Sequence, residues 1–208
     1  MAEPEMLRTD QPTIFIIDDE PAVRQSVRWL VESVALNVET FATAHEFLEQ
    51  YDPSRPGCVL TDIRMPGMCG LALQVRLREN GCMIPVIMMT GHGDVATAVR
   101  AMKNGAVDFI EKPFNDQELL DLLHACIEVD RHYREAKEGR DITLSKYNAL
   151  TPREKEVMSL VVDGNSNKEI ARDLDISPKT VEAHRAKLME KMQAGSVAEL
   201  TKLAAVCG

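Results

Sequence analysis

The sequence predicts an α/β doubly wound domain with a five-stranded parallel sheet, followed by an all-α domain of four short helices. Three observations carry this. Five apolar, β-prone runs alternate with helical patterns over residues 13–130. Those runs lack the in–out alternation of a half-exposed strand, as expected where helices cover both faces of a parallel sheet. Beyond residue 147, helix-start signals follow one another at short spacing.

In order, "TIFIID" from Thr13 reads as a strand. Residues 21–35 read as a helix, with Pro21 in its first turn and Val23, Val27, Leu30, Val31 and Val34 at helical spacing. "VETF" is a short strand, and Thr43 with Glu46 opens the next helix as a capping box. "CVLTDI" is a strand, 70–79 a helix, "PVIMMT" a strand, 94–104 a helix, "VDFIE" a strand and 115–130 a helix. Residues 131–147 are mostly charged or polar, and are expected to extend that helix by a turn or two and then serve as a linker. In the last part, Thr151 pairs with Glu154, Ser166 with Glu169 and Ser196 with Glu199, while Ser177 precedes Pro178. The segments 166–174 and 178–192, joined by "DIS", have the proportions of a helix-turn-helix. The expected layout is a mobile tail over 1–12, a first domain over 13–130, the linker, and a second domain over 148–208.

Composition narrows the function. Hydrophobic residues make up 45% of 208, enough for a core. No apolar run approaches a membrane span, and "MAEPEMLRTDQP" has no apolar core of a secretory signal. The five cysteines are scattered, without a CxxC pair, which fits reduced thiols in a cytoplasm. A net charge of −9 on its own argues against nucleic-acid binding. The distribution says otherwise: residues 1–130 carry 10 Lys/Arg against 21 Asp/Glu, whereas residues 131–208 carry 14 against 12.

Sheets of this class bind ligands at the C-terminal ends of their strands. The first strand ends in Asp18-Asp19, the third in Asp62 and the fourth in Thr90, and the fifth is followed by Lys112. A flavodoxin-like strand order would bring these residues to one crevice. Clustered carboxylates repel unless a cation joins them. Asp18, Asp19 and Asp62 suit a hard divalent ion, Mg²⁺ (or Mn²⁺), which takes one or two carboxylates and keeps several waters. Asp62 could then attack phosphorus to give an acyl phosphate, with the metal and Lys112 neutralising the transferred group. Thr90 could bond the attached phosphoryl group. A cis Lys112–Pro113 peptide would turn the lysine toward the crevice. Taken singly, each of these residues has a plainer account: a strand-end aspartate is a solvated cap, and a lysine a surface charge.

"IIDDEP", "VLTDIRMPGMCG", "MMTGHGD" and "GAVDFIEKPF" resemble the receiver domain of two-component response regulators. The resemblance implies that Asp62 takes phosphate from a sensor histidine kinase. It implies that Asp19, Asp62 and the backbone carbonyl of Arg64 hold Mg²⁺, with Asp18 acting through water. Thr90 and Lys112 would hold the phosphoryl oxygens, and Phe109 would turn inward when Thr90 moves. Arg64 and His92 lie where the family tunes dephosphorylation. Residues 148–208 resemble the LuxR-type four-helix module, and the whole chain is similar to the FixJ subfamily. This implies a cytoplasmic transcriptional activator that binds double-stranded promoter DNA, works with RNA polymerase and needs no membrane.

On a wheel of about 100° per residue, Val181, Leu188 and Met192 share the inward face of 178–192. Lys179, Glu182, Ala183 and Ala186 lie opposite. Alanines there let the helix approach bases and meet a thymine methyl, and Glu182 could accept from a cytosine amino group or merely pair with a nearby lysine. Thr180, Lys187 and Lys191 lie on the flanks and are expected at phosphates. One such module binds weakly, so dimerisation is the expected switch. The expected surface is helix 94–104 with strand 107–111, drawing its contacts from the pool Val95, Ala98, Val99, Ala101 and Met102, several of which must be core instead, with Arg100 exposed. A phosphohydrolase is the rival enzyme reading, but it wants an acid where Arg64 stands. An acyl-homoserine-lactone sensor would share the second domain but not the five βα units. A protein that only titrates another regulator is the third alternative.

Overall fold

The structure, a computed structural model, describes residues 11–91 and 95–207; of these, the side chains of Val95, Ala96 and Ala98 are not described. Residues 1–10 of the expected tail and His92 lie outside the described residues. The chain divides into two compact units, Met1–Tyr133 and Arg134–Gly208.

In the first unit, β1 (Thr13–Ile17), β2 (Asn37–Phe41), β3 (Gly57–Asp62), β4 (Val86–Thr90) and β5 (Asp108–Glu111) form a parallel sheet in the order β2-β1-β3-β4-β5. Helices α1 (Pro21–Ser33), α2 (Ala44–Gln50), α3 (Gly70–Glu79) and α4 (Val95–Lys103) connect them, and α5 (Asp116–Asn148) follows β5. The flavodoxin-like order is therefore present. Every residue of β1, β3 and β4 is buried. Along β1, Phe15 and Ile17 enter one apolar layer with Phe47, Val59 and Met88, while Ile14 and Ile16 enter the other with Val31, Leu60 and Ile87. Both faces are dry, which is why the strands read as continuous apolar runs. Each such side chain contributes about 1.5–3 kcal/mol on burial. Register places Ile17 beside Phe41 and Thr61, Asp62 beside Met89, and Thr90 beside Glu111, so the C-terminal strand ends line up along one edge.

The helix that follows β5 differs from expectation. It does not give way to a linker after a turn or two, but runs unbroken to Asn148. Polar composition suggested a linker, yet the segment contains no proline and is rich in Arg, Glu and Lys, all good helix formers. Arg131 pairs with Glu128 at 2.5 Å one turn back, and the Thr143 hydroxyl donates to the Gly139 carbonyl at 2.8 Å.

In the second unit, α6 (Pro152–Val162), α7 (Asn167–Asp173), α8 (Pro178–Met192) and α9 (Val197–Cys207) enclose Val157, Val161, Ile170, Val181, Leu188 and Leu200. Thr151/Glu154 and Ser166/Glu169 form complete capping boxes. At two other starts the box is displaced by one residue: the Glu46 carboxylate accepts from the Ala42 amide, and that of Glu199 from the Gly195 amide. Asp175, in the turn between α7 and α8, has φ +51°, and Ser177 caps α8 by accepting from the Thr180 amide.

Candidate functional site

Asp18 follows β1 directly and is fully buried; Asp62 ends β3 and is nearly so. One Asp18 oxygen accepts from the Glu20 amide at 2.8 Å, and the other accepts from Lys112 Nζ at 2.7 Å. The same ammonium donates to Asp62 Oδ1 at 2.6 Å, while Asp62 Oδ2 accepts from the Arg64 amide at 2.5 Å. Arg24 Nη1 fixes the Asp18 backbone by donating to its carbonyl at 2.6 Å. Lys112 arrives from the end of β5, where its amide donates to the Thr90 carbonyl at 2.8 Å; the Lys112–Pro113 peptide is cis. Two carboxylates thus share one ammonium. Burial acts to lower the Lys112 pKa, but the hydrogen bonds to Asp18 and Asp62 outweigh it and raise it above the ordinary lysine value.

Asp19 is exposed beside this pair. Among the described residues, no three His, Cys, Asp or Glu side chains close into a metal cage. The donor set nevertheless suits Mg²⁺, which needs only one or two carboxylates and completes its octahedron with water. Asp19 and Asp62 can supply these. Asp18, held on both oxygens, fits an outer role better than direct ligation.

Thr90 is buried at the end of β4, and its hydroxyl donates to the Gly91 carbonyl at 3.1 Å. Phe109, on the neighbouring strand, is 42% exposed. On α4, Val99, Arg100 and Met102 are exposed, but Ala101 is completely buried. Ala101 therefore belongs to the core and leaves the set of candidate dimer contacts. Val95 and Ala98 have side chains outside the described residues. A groove of about 550 Å³, which no motif in the sequence announces, runs beside Lys112 between Ala22, Ser26, Pro113 and Phe114.

On α8, Val181, Leu188 and Met192 are buried, and Lys179, Thr180, Glu182, Ala183, Ala186 and Lys187 are exposed. The Thr180 hydroxyl lies 2.8 Å from that of Ser177. Lys191 departs from expectation: its Nζ donates to Glu154 at 2.7 Å and to the Ala149 carbonyl at 3.3 Å. Glu154 is only 3% exposed and needs a cation. The helical wheel of α8 alone cannot reveal a partner 37 residues away. Lys191 braces the module in this structure, so the phosphate contact expected of it would require its ammonium to leave Glu154.

Comparison with known proteins follows this division. Residues 14–124 match the response regulator receiver domain, and residues 148–204 match the bacterial regulatory proteins of the luxR family. The chain is 40% identical over 188 residues to the transcriptional regulatory protein TdiR of Thauera aromatica, covering 90% of this chain and 83% of that protein. It is 42% identical over 200 residues to the transcriptional regulatory protein FixJ of Bradyrhizobium diazoefficiens, covering 96% and 98%. The solved structure of the response regulator StyR superposes with a TM-score of 0.86 at 40% identity, covering 94% of this chain and 98% of that one. The chain belongs to the two-component response regulators that join a receiver domain to a LuxR-type DNA-binding domain and regulate transcription.

Proposed function

We propose that Asp62 is the phosphoacceptor of this regulator and that its phosphorylation promotes dimerisation and promoter binding. The single observation that carries this reading is the shared ammonium: Lys112 lies within 2.7 Å of both Asp18 and Asp62 at the C-terminal edge of the sheet. One positive charge faces two negative ones, so the crevice has room electrostatically for a divalent cation and the anion it accompanies. Asp19, Asp62 and the Arg64 carbonyl would hold Mg²⁺ (or Mn²⁺), with Asp18 supporting it through water. The ion supplies charge neutralisation to the phosphoryl group. Asp62 provides the oxygen that attacks phosphorus as the P–N bond of the kinase phosphohistidine breaks and its imidazole leaves, and Lys112 shifts to the phosphoryl oxygens.

A phosphoryl group adds about −1.5 to −2 charges. It draws the Thr90 hydroxyl away from the Gly91 carbonyl, and the space released admits Phe109. The face made by α4 and β5, with Val99, Arg100 and Met102 outward, then pairs two copies. The groove beside Lys112 suits the segment of a sensor histidine kinase that presents its phosphohistidine. Two paired modules hold promoter DNA through Lys179, Glu182, Ala183 and Ala186 toward bases, with Thr180 and Lys187 toward phosphates. The regulator acts in the cytoplasm as an activator that engages RNA polymerase.

The test is direct. Protein incubated with acetyl phosphate and Mg²⁺ should gain the mass of one phosphoryl group, labile to hydroxylamine, and Asp62→Asn should gain none. An adduct of equal yield in Asp62→Asn would place the acceptor elsewhere.

A further inference from the structure

The last turn of α4 is gripped from α3 by two side chains that the crevice does not use. Gln74 is 1% exposed, and its Nε2 donates to the Ala101 carbonyl at 3.3 Å. Arg78, one turn on, donates to the Gly105 carbonyl at 2.8 Å. Those carbonyls belong to a helix end already closed on itself. The Ala106 amide donates to Ala101 at 3.0 Å and the Gly105 amide to Met102 at 2.9 Å, with Gly105 at φ +84°. A Cβ at Gly105 would collide with Arg78 Nη2, so the guanidinium sits flush against the backbone. A cation at a helix C-terminus also meets its negative end.

The other end of α3 is tied to the strand that carries Asp62. The Gly70 amide donates to the Ile63 carbonyl at 3.1 Å, and a Cβ at Gly70 would collide with the Asp62 carbonyl. One turn of helix separates this contact from Gln74.

Gln74 is also an expensive choice. Among the described residues its Oε1 has no hydrogen-bond partner. A buried acceptor without a partner costs stability that an apolar side chain of similar size would not. Departures from local consistency of this kind concentrate where function demands them.

We infer that Gln74 and Arg78 are positioning residues that pin the C-terminal end of α4 to the phosphoacceptor strand, so that α4 pivots about this end when Asp62 is phosphorylated. This rests on the reading that phosphorylation of Asp62 rearranges the α4–β5 face. The pin gives Asp62 a second mechanical route to α4, through α3 and separate from Thr90 and Phe109.

The test compares the dimer dissociation constant with and without acetyl phosphate and Mg²⁺, by sedimentation of the full chain. Gln74→Leu should take up the phosphoryl group at the wild-type rate and unfold at no lower a urea concentration than the wild type. Its ratio of the two constants should shrink by about fivefold, the low end of allosteric couplings. Arg78→Ala, at an exposed position, should shrink it in the same direction without threatening the fold. A ratio unchanged in both variants, in protein whose wild type dimerises with phosphate, overturns the pin alone. A wild type that forms no phosphate-dependent dimer overturns the pin together with the reading beneath it, and the mass measurement on Asp62 then tells which step failed.

Discussion

Each unit of this regulator sets a lysine against a buried carboxylate at nearly the same distance. Lys112 lies 2.7 and 2.6 Å from Asp18 and Asp62, and Lys191 lies 2.7 Å from Glu154. Their charge balance separates them. In the receiver, one ammonium answers two carboxylates, with exposed Asp19 beside them. In the DNA-binding module, one ammonium answers one carboxylate, which also accepts from the Thr151 amide in a capping box. The first arrangement carries surplus negative charge and can trade its cation for another. The second is closed. Distance alone does not distinguish the two lysine–carboxylate contacts; the count of charges around each does.

The largest expected effect follows from the surplus. Lys112→Met leaves Asp18 and Asp62 facing each other, with Asp18 fully buried. An uncompensated buried charge costs about 3–5 kcal/mol. Urea unfolding of the receiver near neutral pH should show a loss of that order, and millimolar Mg²⁺ should recover much of it. Asp62→Asn removes the surplus instead and should leave the receiver equally or more stable. The sign of the pH effect follows from the raised Lys112 pKa: its contribution is complete below the ordinary lysine value and is lost as pH climbs through the higher folded one. A Lys112→Met protein as stable as the wild type, with no response to Mg²⁺, would break the comparison.

The closed pair should behave in the opposite sense with pH. The Lys191 ammonium, followed by the Thr151 amide, holds the Glu154 carboxyl down to about 2 from its usual 4.5. A depressed folded pKa means that the unfolded chain binds the proton first. The pair's stabilisation is therefore full above about pH 4.5 and is lost as pH falls from there toward 2. Glu154→Ala should cost the module about 1–2 kcal/mol by removing the cap and the ion pair. Amide exchange at Val157 and Val161 in the full chain should quicken accordingly, and Mg²⁺ should not reverse it.

The two lysines also mark what a sequence can and cannot disclose. Lys112 was legible because the topology of a parallel sheet sends every strand end to one edge, so neighbours in space follow from order along the chain. The apolar runs set that topology, and the sheet found has the expected strand order. Lys191 was not legible, since its helix has a flank that would suit a phosphate, and Glu154 looked like nothing more than a capping residue. The burial of Ala101 within the expected pool was not legible either: periodicity marks a helix as amphipathic, but small residues sit equally well on its wet and dry faces. The length of α5 escaped because polar composition marks solvent exposure, not the absence of helix. Gln74 left no signal at all, since its meaning lies in a carbonyl on another helix.

The smallest effect is also the one that sharpens the comparison most. If Lys191 belongs to the structure and Lys187 to the DNA interface, their alanine variants must separate on salt dependence. Withdrawing one ammonium from a DNA phosphate lowers the slope of log affinity against log salt by about 0.9. Lys187→Ala should weaken DNA binding a few-fold at physiological salt and reduce the slope by about 1 per module. Lys191→Ala should leave the slope unchanged while lowering stability by about 1–3 kcal/mol, because the carboxylate it abandons is buried and is left with the Thr151 amide. Affinity would fall only where the module begins to unfold, and it would fall equally at every salt concentration. Fluorescence anisotropy on a promoter fragment, titrated at several salt concentrations, reads both variants at once. Equal slopes for the two would mean that Lys191 exchanges Glu154 for a phosphate on binding, and the closed pair would then be a switch like the open one.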